Sequence, residues 1–355
     1  MSYIISVGTA VPPYEISQET AKNFSKILFK DHFKDIDRLL HIFDHTQITK
    51  RHFCVPIEWF EVEHTFEEKN MIYVKNAIEL SKQAIFHCLK NTPFGTEDID
   101  HILFISSTGL STPSIDAYLF NDPDIHFNPH IKRTPIWGLG CAGGAAGLSR
   151  AMEYSRAFPN DKVLVVSLEI GELAFLRNDL SKSNLVATSL FGDGAAAVLI
   201  VGDEVLQTDA GLKMIDSQST IWKNSLDVMG WDVRNNGLKV IFSKDIPSIV
   251  QNELKPNVDQ FLLNHHLTLS DLQFFILHPG GTKVIEAYEN AFQITEQETM
   301  ITRQILNQYG NMSSPTVLFV LQALLKNHPP KNGHGILIAL GPGFSSEIIL
   351  LEWMK

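Results

Sequence analysis

The sequence predicts an α/β protein in which apolar strands lie between layers of helices. Short runs rich in Val, Ile, Leu and Phe stand between stretches whose apolar residues recur at helical spacing. The runs are apolar at successive positions, which is typical of strands covered by helices on both faces. Two segments in different halves of the chain also share one pattern, which indicates an internal duplication.

The first predicted helices lie in the N-terminal third. Ser17 is a favourable N-cap residue for a helix whose apolar residues Ala21, Phe24 and Leu28 recur at helical spacing. The same spacing predicts a second helix over residues 74–88. Both helices are expected to pack against a core.

The predicted strands follow in both halves. Each is a short apolar run rich in β-branched residues. They are HILFISS from His101, KVLVVSLE from Lys162, AAAVLIVG from Ala195, FFILHPG from Phe274, GILIALGPG from Gly335 and EIILLEW from Glu347.

The duplicated pattern consists of a glycine, a reactive type of residue, small residues and then an apolar helix. It occurs as GCAGGAAGLSRAM from Gly140 and as GNMSSPTVLFVLQALL from Gly310. Cys141 and Asn311 are each expected at the buried N-terminus of a helix. Because the strand pattern restarts after Gly202, the chain is divided into halves at residues 1–203 and 204–355.

Composition excludes several classes of function. The net charge of −11 disfavours nucleic-acid binding. No apolar stretch reaches the roughly 20 residues that span a bilayer, so no integral membrane association is expected. The start MSYIISVG lacks a basic leader and is soon broken by Pro12 and Pro13, so a strand and turn are predicted there. Three cysteines without a CxxC pair indicate neither a disulfide framework nor a metal site, and a reducing cytoplasm fits best.

Cys141 is the candidate nucleophile. A helix N-terminus is expected to lower the pKa of its thiol, and the first amides of the helix could stabilise an oxyanion. The small residues 142–146 let other backbone approach closely. The alternative is a small buried hydrophobe, which is the favoured interpretation of Cys88 on its apolar helix face. Cys54 has no comparable signal.

His278 is the candidate partner base. It ends the run FFIL and precedes PGG, so it is expected to project from a strand end into a loop. A neutral imidazole there could accept the thiol proton and then pair with the thiolate. The alternative is a hydrogen-bonded turn histidine, and Asn311 could be a simple cap residue. Other histidines, including His87, His265 and His266, are interpreted as solvated or structural.

Five motifs together resemble the type III polyketide synthases, the chalcone and stilbene synthase family within the thiolase-fold superfamily. The resemblance spans nearly the whole chain and implies a duplicated, layered αβαβα thiolase-like fold and a homodimer. A papain-like protease also uses Cys, His and Asn, but the surrounding motifs disfavour it. The motifs are GCAGG around Cys141, SLFGDGAAAVLIVG around Phe191, ILHPGG around His278, YGNMSSPTVLF around Asn311 and ALGPGFSSE with Gly341, Pro342 and Gly343.

The resemblance implies a role for each motif. Cys141 would carry the acyl starter, while His278 and Asn311 would bind the malonyl thioester carbonyl and stabilise the enolate formed by decarboxylation. Phe191 would be the gatekeeper whose apolar face favours loss of carbon dioxide, its alternative being a core aromatic. The Gly341-Pro342-Gly343 loop would lie against the growing polyketide. Acyl-CoA and malonyl-CoA are the implied substrates, and no metal or other cofactor is needed.

The starter pocket is expected to be roomy. Ser107, Ala174 and Ser313 align with small or hydroxyl residues of plant members, and Val240 aligns with an aromatic residue that narrows their starter site. The alternative is that Val240 is an ordinary strand valine. A long fatty acyl starter is favoured, because burial contributes about 0.8 kcal/mol per methylene. Alkylpyrones or alkylresorcinols would result.

The CoA-binding positions of the family align with Arg38, His41, His45 and Lys283. Since only Arg38 is a permanent cation among the first three, an acyl carrier protein also remains possible as donor. Two other functions remain open at this stage. One is an initiating ketoacyl-acyl carrier protein synthase with the same three catalytic residues, and the other is a non-catalytic partner subunit of the same fold.

Overall fold

The computed structural model describes residues 1–30, 35–206, 211–243, 245–327 and 332–354. In chain order the strands are β1 (Ser2–Ala10), β2 (Tyr14–Ser17), β3 (Lys50–Phe53), β4 (His101–Ile105), β5 (Lys132–Ile136), β6 (Lys162–Ile170), β7 (Asp193–Gly202), β8 (Gly211–Ile221), β9 (Met229–Arg234), β10 (Gly237–Phe242), β11 (Leu272–Leu277), β12 (Gly333–Gly341) and β13 (Ser345–Met354).

The α-helices are α1 (Gln18–Phe29), α2 (Ile36–His45), α3 (Phe66–Leu89), α4 (Ile115–Phe120), α5 (Gly143–Ala157), α6 (Lys182–Leu190), α7 (Ile246–Ile249), α8 (Lys255–Asn264), α9 (Thr282–Phe292), α10 (Met300–Tyr309) and α11 (Thr316–Asn327). Among the described residues, none of these helices is long and apolar enough to cross a membrane.

Nine of the strands form a mixed sheet in the order β11-β12-β13-β8-β1-β7-β6-β4-β5. Strand β4 runs parallel to β5 and β6, and β11 runs parallel to β12, while the other neighbours are antiparallel. The two halves of the sheet meet where residues Ser2–Ile4 of β1 pair with Leu212–Met214 of β8. This short contact joins strands from before and after the expected division at residue 203. That division remains a prediction.

Helices α5 and α11 form a central layer between the two halves of the sheet. Their apolar side chains share one buried cluster with the inner faces of strands from both halves, including Leu103, Val165, Ala196 and Leu337. Alternate residues of the same strands point the other way. Those of β4, β6 and β7 pack with α3, and those of β11 to β13 pack with α8 and α9. Helix, sheet, helix, sheet and helix therefore follow one another.

The predicted fold class is confirmed. Each of the six predicted strands is present, and α1 begins after Ser17, whose hydroxyl accepts a hydrogen bond from the amide of Thr20. Helix α3 contains the expected apolar face and begins eight residues earlier, at a capping box formed by Thr65 and Glu68. Both faces of the strands carry apolar residues because helices cover both faces.

Candidate active site

Cys141 lies in a 3-10 helix, Gly140–Ala142, that continues directly into α5. Its side chain is buried, with 7% exposure. Gly140 has a φ of +45°, and a Cβ there would approach the ring of Pro342 to 2.8 Å. A side chain is therefore excluded both by backbone conformation and by the neighbouring loop. The expected position at a buried helix start is confirmed.

The Gly341-Pro342-Gly343 loop supports this turn from the opposite half. A Cβ on Gly341 would lie 2.6 Å from both the Cβ of Ala142 and the carbonyl oxygen of Leu139. Glycine is thus required at position 341 because the loop packs closely against the turn that carries Cys141. The sequence alone did not reveal this requirement. The expected contact between this loop and a growing polyketide stays a prediction.

His278 follows the last residue of β11, as predicted from the run FFIL. Its amide donates to the carbonyl of Ile338 at 2.9 Å, so the neighbouring strand fixes its backbone. The side chain is only 2% exposed, and neither ring nitrogen has a hydrogen-bond partner among the described residues. A buried imidazole without partners is costly and is a common feature of functional sites.

Asn311 connects the neighbouring loops. Its Nδ2 donates to the carbonyl of Gly280 at 3.1 Å, and its Oδ1 accepts from the amide of Ser313 at 2.8 Å. Its backbone forms an isolated bridge with Phe191. The expected place at a helix N-terminus is wrong, because α11 begins only at Thr316, five residues later. The glycine pattern marks a loop that precedes the helix.

Burial dominates the protonation of both partners in the free site. It raises the pKa of Cys141 to about 11, although hydrogen bonds from Ser313 and Asn311 lower that pKa in part. It lowers the pKa of His278 to about 3. In the free site, desolvation therefore raises the pKa of the Cys141 thiol by more than the helix start was expected to lower it.

Phe191 ends α6 and is held by a buried guanidinium. Arg51 is fully buried, and its Nη1 donates to the carbonyls of Phe191 and Thr188, each at 2.7 Å. The nearest carboxylate, Glu172, lies 3.8 Å from the same nitrogen. The Phe191 ring packs at centroid distances of 5.8 Å from Trp231 and 5.7 Å from Phe242.

Val240 lies beside Phe191. It shares a small buried cluster with Phe191 and Ala187, and it pairs with Trp231 across the β9–β10 ladder. The room implied by valine at this position is therefore partly taken by the aromatic rings of Trp231 and Phe242. The 3-10 helix that ends at Ala174 contacts β10, the strand that carries Val240. That Ala174 and Val240 line a starter pocket stays a prediction.

A buried carboxyl organises the serines around Cys141. Glu169 accepts hydrogen bonds from the amide of Ser107 at 2.8 Å and from the hydroxyl of Ser314 at 2.7 Å. Burial raises its pKa to about 7. The Ser107 hydroxyl in turn accepts from the amide of Gly140 at 3.1 Å. Ser313, with a φ of +60°, is buried and its side chain forms a hydrogen bond with the Cys141 thiol.

A cavity of about 1000 Å³ leads toward this site and contains all four expected CoA-binding residues, Arg38, His41, His45 and Lys283. Gly280 and Gly281, which follow His278, form part of its wall together with Leu190, which precedes Phe191. Lys182, at the start of α6, also lines the cavity and was not predicted.

The other predicted structural residues have ordinary surroundings. Cys88 is buried on α3, and burial raises its pKa to about 12. The amide of Cys54 donates to buried Asp193. His87 contacts the carbonyl of Thr9, and His265 lies 3.0 Å from Asp216. These contacts favour the structural interpretation of all four.

Several site residues were missed. Glu169 had a detectable signal, a lone charge within an apolar strand, whereas Arg51 had none, because it lies beside Lys50 in the polar run KRHF. Lys182 and Trp231 had none, because their positions depend on tertiary convergence and on strand register. Among the described residues, no group of three His, Cys, Asp or Glu side chains could hold a metal ion.

Comparisons with known proteins agree along the whole length. A family model described as "Chalcone and stilbene synthases, N-terminal domain" matches residues 1–204, and its C-terminal counterpart matches residues 213–354. A Bacillus subtilis (strain 168) protein named "Putative chalcone synthase" is 47% identical, with 100% of both chains covered. The 1,3,6,8-tetrahydroxynaphthalene synthase of Streptomyces peucetius subsp. caesius is 32% identical, with 99% of this chain and 93% of that protein covered.

The fold agrees equally well. The crystal structure of 1,3,6,8-tetrahydroxynaphthalene synthase from Streptomyces coelicolor A3(2), a bacterial type III polyketide synthase, superposes with a TM-score of 0.93. It is 27% identical, with 99% of each chain covered.

Proposed function

The chain belongs to the chalcone and stilbene synthase family and is a type III polyketide synthase, an acyltransferase of the condensing type, and from this premise we propose that it extends a fatty acyl starter with malonyl units. Both substrates are CoA thioesters in this proposal. The products are alkylpyrones or alkylresorcinols. The observation that carries the proposal is that buried Cys141 accepts a hydrogen bond from Asn311, which also donates to Gly280, two residues after His278, which is buried and has no hydrogen-bond partner in the part of the chain that the structure describes.

Loading begins with the thiol of Cys141. His278 accepts its proton, and Sγ attacks the starter carbonyl. The C–S bond to CoA breaks, and the CoA thiolate takes the proton back from the imidazolium. Although burial disfavours either charge alone, transfer within the pair creates both charges together, so each stabilises the other. The helix start at Gly143 adds further stabilisation for the thiolate.

Decarboxylation uses the donors that remain. One N–H group of Asn311 donates to Gly280, and the other, which donates to Cys141 in the free site, can donate to the malonyl thioester oxygen once Cys141 is acylated. His278 can supply another donor, because its ring nitrogens have no partner among the described residues. The bond to the carboxylate breaks, carbon dioxide leaves, and the enolate carbon attacks the acyl group on Cys141. The Cys141 sulfur then leaves the elongated chain, which is the Claisen condensation.

The apolar gate supports the choice of both substrates. Arg51 fixes the backbone carbonyl of Phe191, and the Phe191 ring packs against two other aromatic rings. This ring would disfavour the malonyl carboxylate relative to neutral carbon dioxide. The rings of Trp231 and Phe242 occupy part of the width of the starter pocket that a valine at position 240 would otherwise leave open. A narrow apolar passage favours a linear acyl chain over a phenyl-bearing starter, since each buried methylene contributes about 0.8 kcal/mol.

We also propose that the protein acts as a homodimer. Strand β5 forms one edge of the sheet, and Trp137, which follows it, is 51% exposed. An edge strand with an exposed aromatic side chain suits pairing with a second copy. Analytical ultracentrifugation would show a dimer, and a monomer at micromolar concentration would contradict this part.

The function is tested with labelled malonyl-CoA and a series of acyl-CoAs, followed by mass analysis of the products. Pyrones or resorcinols formed by two or more extensions of a long-chain starter are expected, and Cys141→Ala is the control that must form none. A single ketoacyl product would instead indicate the ketoacyl-acyl carrier protein synthase. A product made from malonyl-CoA alone, in preference to any acyl starter, would contradict the fatty acyl proposal.

No cofactor beyond the CoA thioesters is required in this proposal, because decarboxylation itself generates the carbon nucleophile. Turnover should therefore be unchanged after dialysis against a metal chelator. Restoration of lost activity by a divalent metal would contradict this part of the proposal.

A further inference from the structure

The mouth of the cavity is lined by four separate elements. Arg38, His41 and His45 lie on α2, Lys182 begins α6, and Lys283 lies in the first turn of α9. The fourth wall is formed by Phe242, at the end of β10, and by residues that follow it, including Ser243. Side chains from three helices are thus placed around one opening.

The charges at this opening are mostly positive and unpaired. Arg38, Lys182 and Lys283 have no hydrogen-bond or ion-pair partner among the described residues. Asp35 is the one carboxylate residue among those described that line the cavity. In a chain of net charge −11, such a cluster of unpaired cations attracts anionic ligands to this opening.

The histidines add little permanent charge. His41 is engaged with Asp44, its Nδ1 lying 3.2 Å from the carboxylate, and Asp44 also accepts from Lys22 at 2.5 Å. His45 has no hydrogen-bond or ion-pair partner among the described residues, but histidine, unlike arginine and lysine, is not a permanent cation. On α2, only Arg38 therefore offers a lasting positive charge to the cavity.

Lys182 is placed to supply the missing charge. It follows the N-cap residue Ser181, so the positive end of the helix dipole lies at the same place. Helix α6 then runs from the opening to Phe191, a length of about 13 Å for nine residues. An anion held near Lys182 and an acyl group held near Phe191 would be separated by about the length of this helix. The flexible pantetheine arm of CoA connects a phosphate to a thioester in the same way.

We infer that Lys182 binds the phosphates of CoA thioesters, together with Arg38 and Lys283, and supplies the permanent charge that His41 and His45 lack. The inference rests on the proposed use of CoA thioesters. It names Lys182 as a residue that would select CoA thioesters through their phosphates. It assigns the cavity mouth to phosphate recognition and the inner end of α6 to the thioester.

Calorimetric titration with free CoA tests the inference without requiring turnover. Lys182→Gln is expected to weaken CoA binding about 5-fold, as for a solvent-exposed ion pair, and to leave pantetheine binding unchanged. The difference between wild type and variant should shrink at 1 M salt, where the Debye length falls to about 3 Å. Lys75→Gln, an identical charge change on α3 away from the cavity, is the matched control and should bind CoA as wild type does.

Two outcomes would overturn the inference. One is an unchanged CoA affinity in folded Lys182→Gln protein, and the other is equal weakening of CoA and pantetheine. Failure of the proposed function would give a different result. In that case CoA binding would still depend on Lys182, but the wild-type enzyme would turn over no acyl-CoA. Circular dichroism and thermal unfolding establish that both variants are folded.

Discussion

Replacing His278 by glutamine should abolish the part of the reactivity of Cys141 that does not depend on pH. In the variant the thiol keeps the burial that raises its pKa to about 11, but loses the imidazole that can take its proton. In the native site the thiolate forms together with an imidazolium. At the roughly 4 Å separation needed for proton transfer, that attraction contributes about 4 kcal/mol at an effective dielectric constant near 20, or about three pKa units.

The assay is the rate of alkylation of Cys141 by iodoacetamide as a function of pH, with the modified peptide identified by mass. The separate pKa values of about 11 for the thiol and about 3 for the imidazole make the charged pair unfavourable, and the attraction recovers only about three of these pKa units. The charged pair should therefore be a small fraction of the wild-type protein that does not depend on pH, and it should give wild type a level alkylation rate below about pH 6. The variant's rate should increase tenfold per pH unit over the same range. His87→Gln, which removes a histidine outside the site, should behave as wild type. A wild-type rate that also increases tenfold per pH unit over this range would refute the paired proton transfer.

Three further predictions follow from the same site. Asn311→Ala should suppress malonyl-CoA decarboxylation more than starter loading, by about 3 kcal/mol for one lost oxyanion donor; equal losses in separately measured half-reactions would contradict this division, and His278→Ala should impair both. Ala174→Trp should shift preference toward short acyl-CoAs, at an overpacking cost of about 1 to 3 kcal/mol for long chains; an unchanged ratio of kcat/KM for long and short starters in folded protein would remove Ala174 from the pocket wall. Because burial raises the pKa of Glu169 from 4.5 to about 7, the folded state holds an extra proton, and about 3 kcal/mol of stability should be lost as pH rises from 4.5 to 7. Urea unfolding of Glu169→Gln should show a smaller fall over this range, and identical pH profiles would contradict the assignment.

The strands were predictable because burial on both faces leaves a direct mark in the sequence. In β7, alternate residues such as Ala196 and Val198 point to the central layer, while Ala197 and Leu199 point to the outer one. No polar residue interrupts either face, so the apolar run marks the strand. The capped start of α1 was predictable for a local reason, since the Ser17 hydroxyl satisfies an amide three residues later.

Site residues were predictable only where the local backbone conformation restricts which residue types can stand next to the reactive one. Cys141 stands in a turn where Gly140 cannot carry a side chain, and this requirement appears in the sequence as a run of small residues. Asn311 lies in a loop and not at the helix start that the glycine pattern predicted. Its loop is positioned by a backbone bridge to Phe191, a contact about 120 residues away in sequence that no local pattern reveals.

The rest of the site depends on tertiary contacts that a sequence pattern does not specify. Trp231 reaches the gate because the register of β9 and β10 pairs it with Val240. One residue of slip would place it on the other face. Lys182 reaches the cavity because α6 and α2 converge there, although their residues lie about 140 positions apart.

The most direct test of the account is the intact mass of the protein after incubation with a long-chain acyl-CoA in the absence of malonyl-CoA. The account predicts one added acyl group per chain, located on the peptide that contains Cys141, and its disappearance with formation of product when malonyl-CoA is added. An acyl group on any other residue that is carried into product, or product formation by Cys141→Ala, would contradict it.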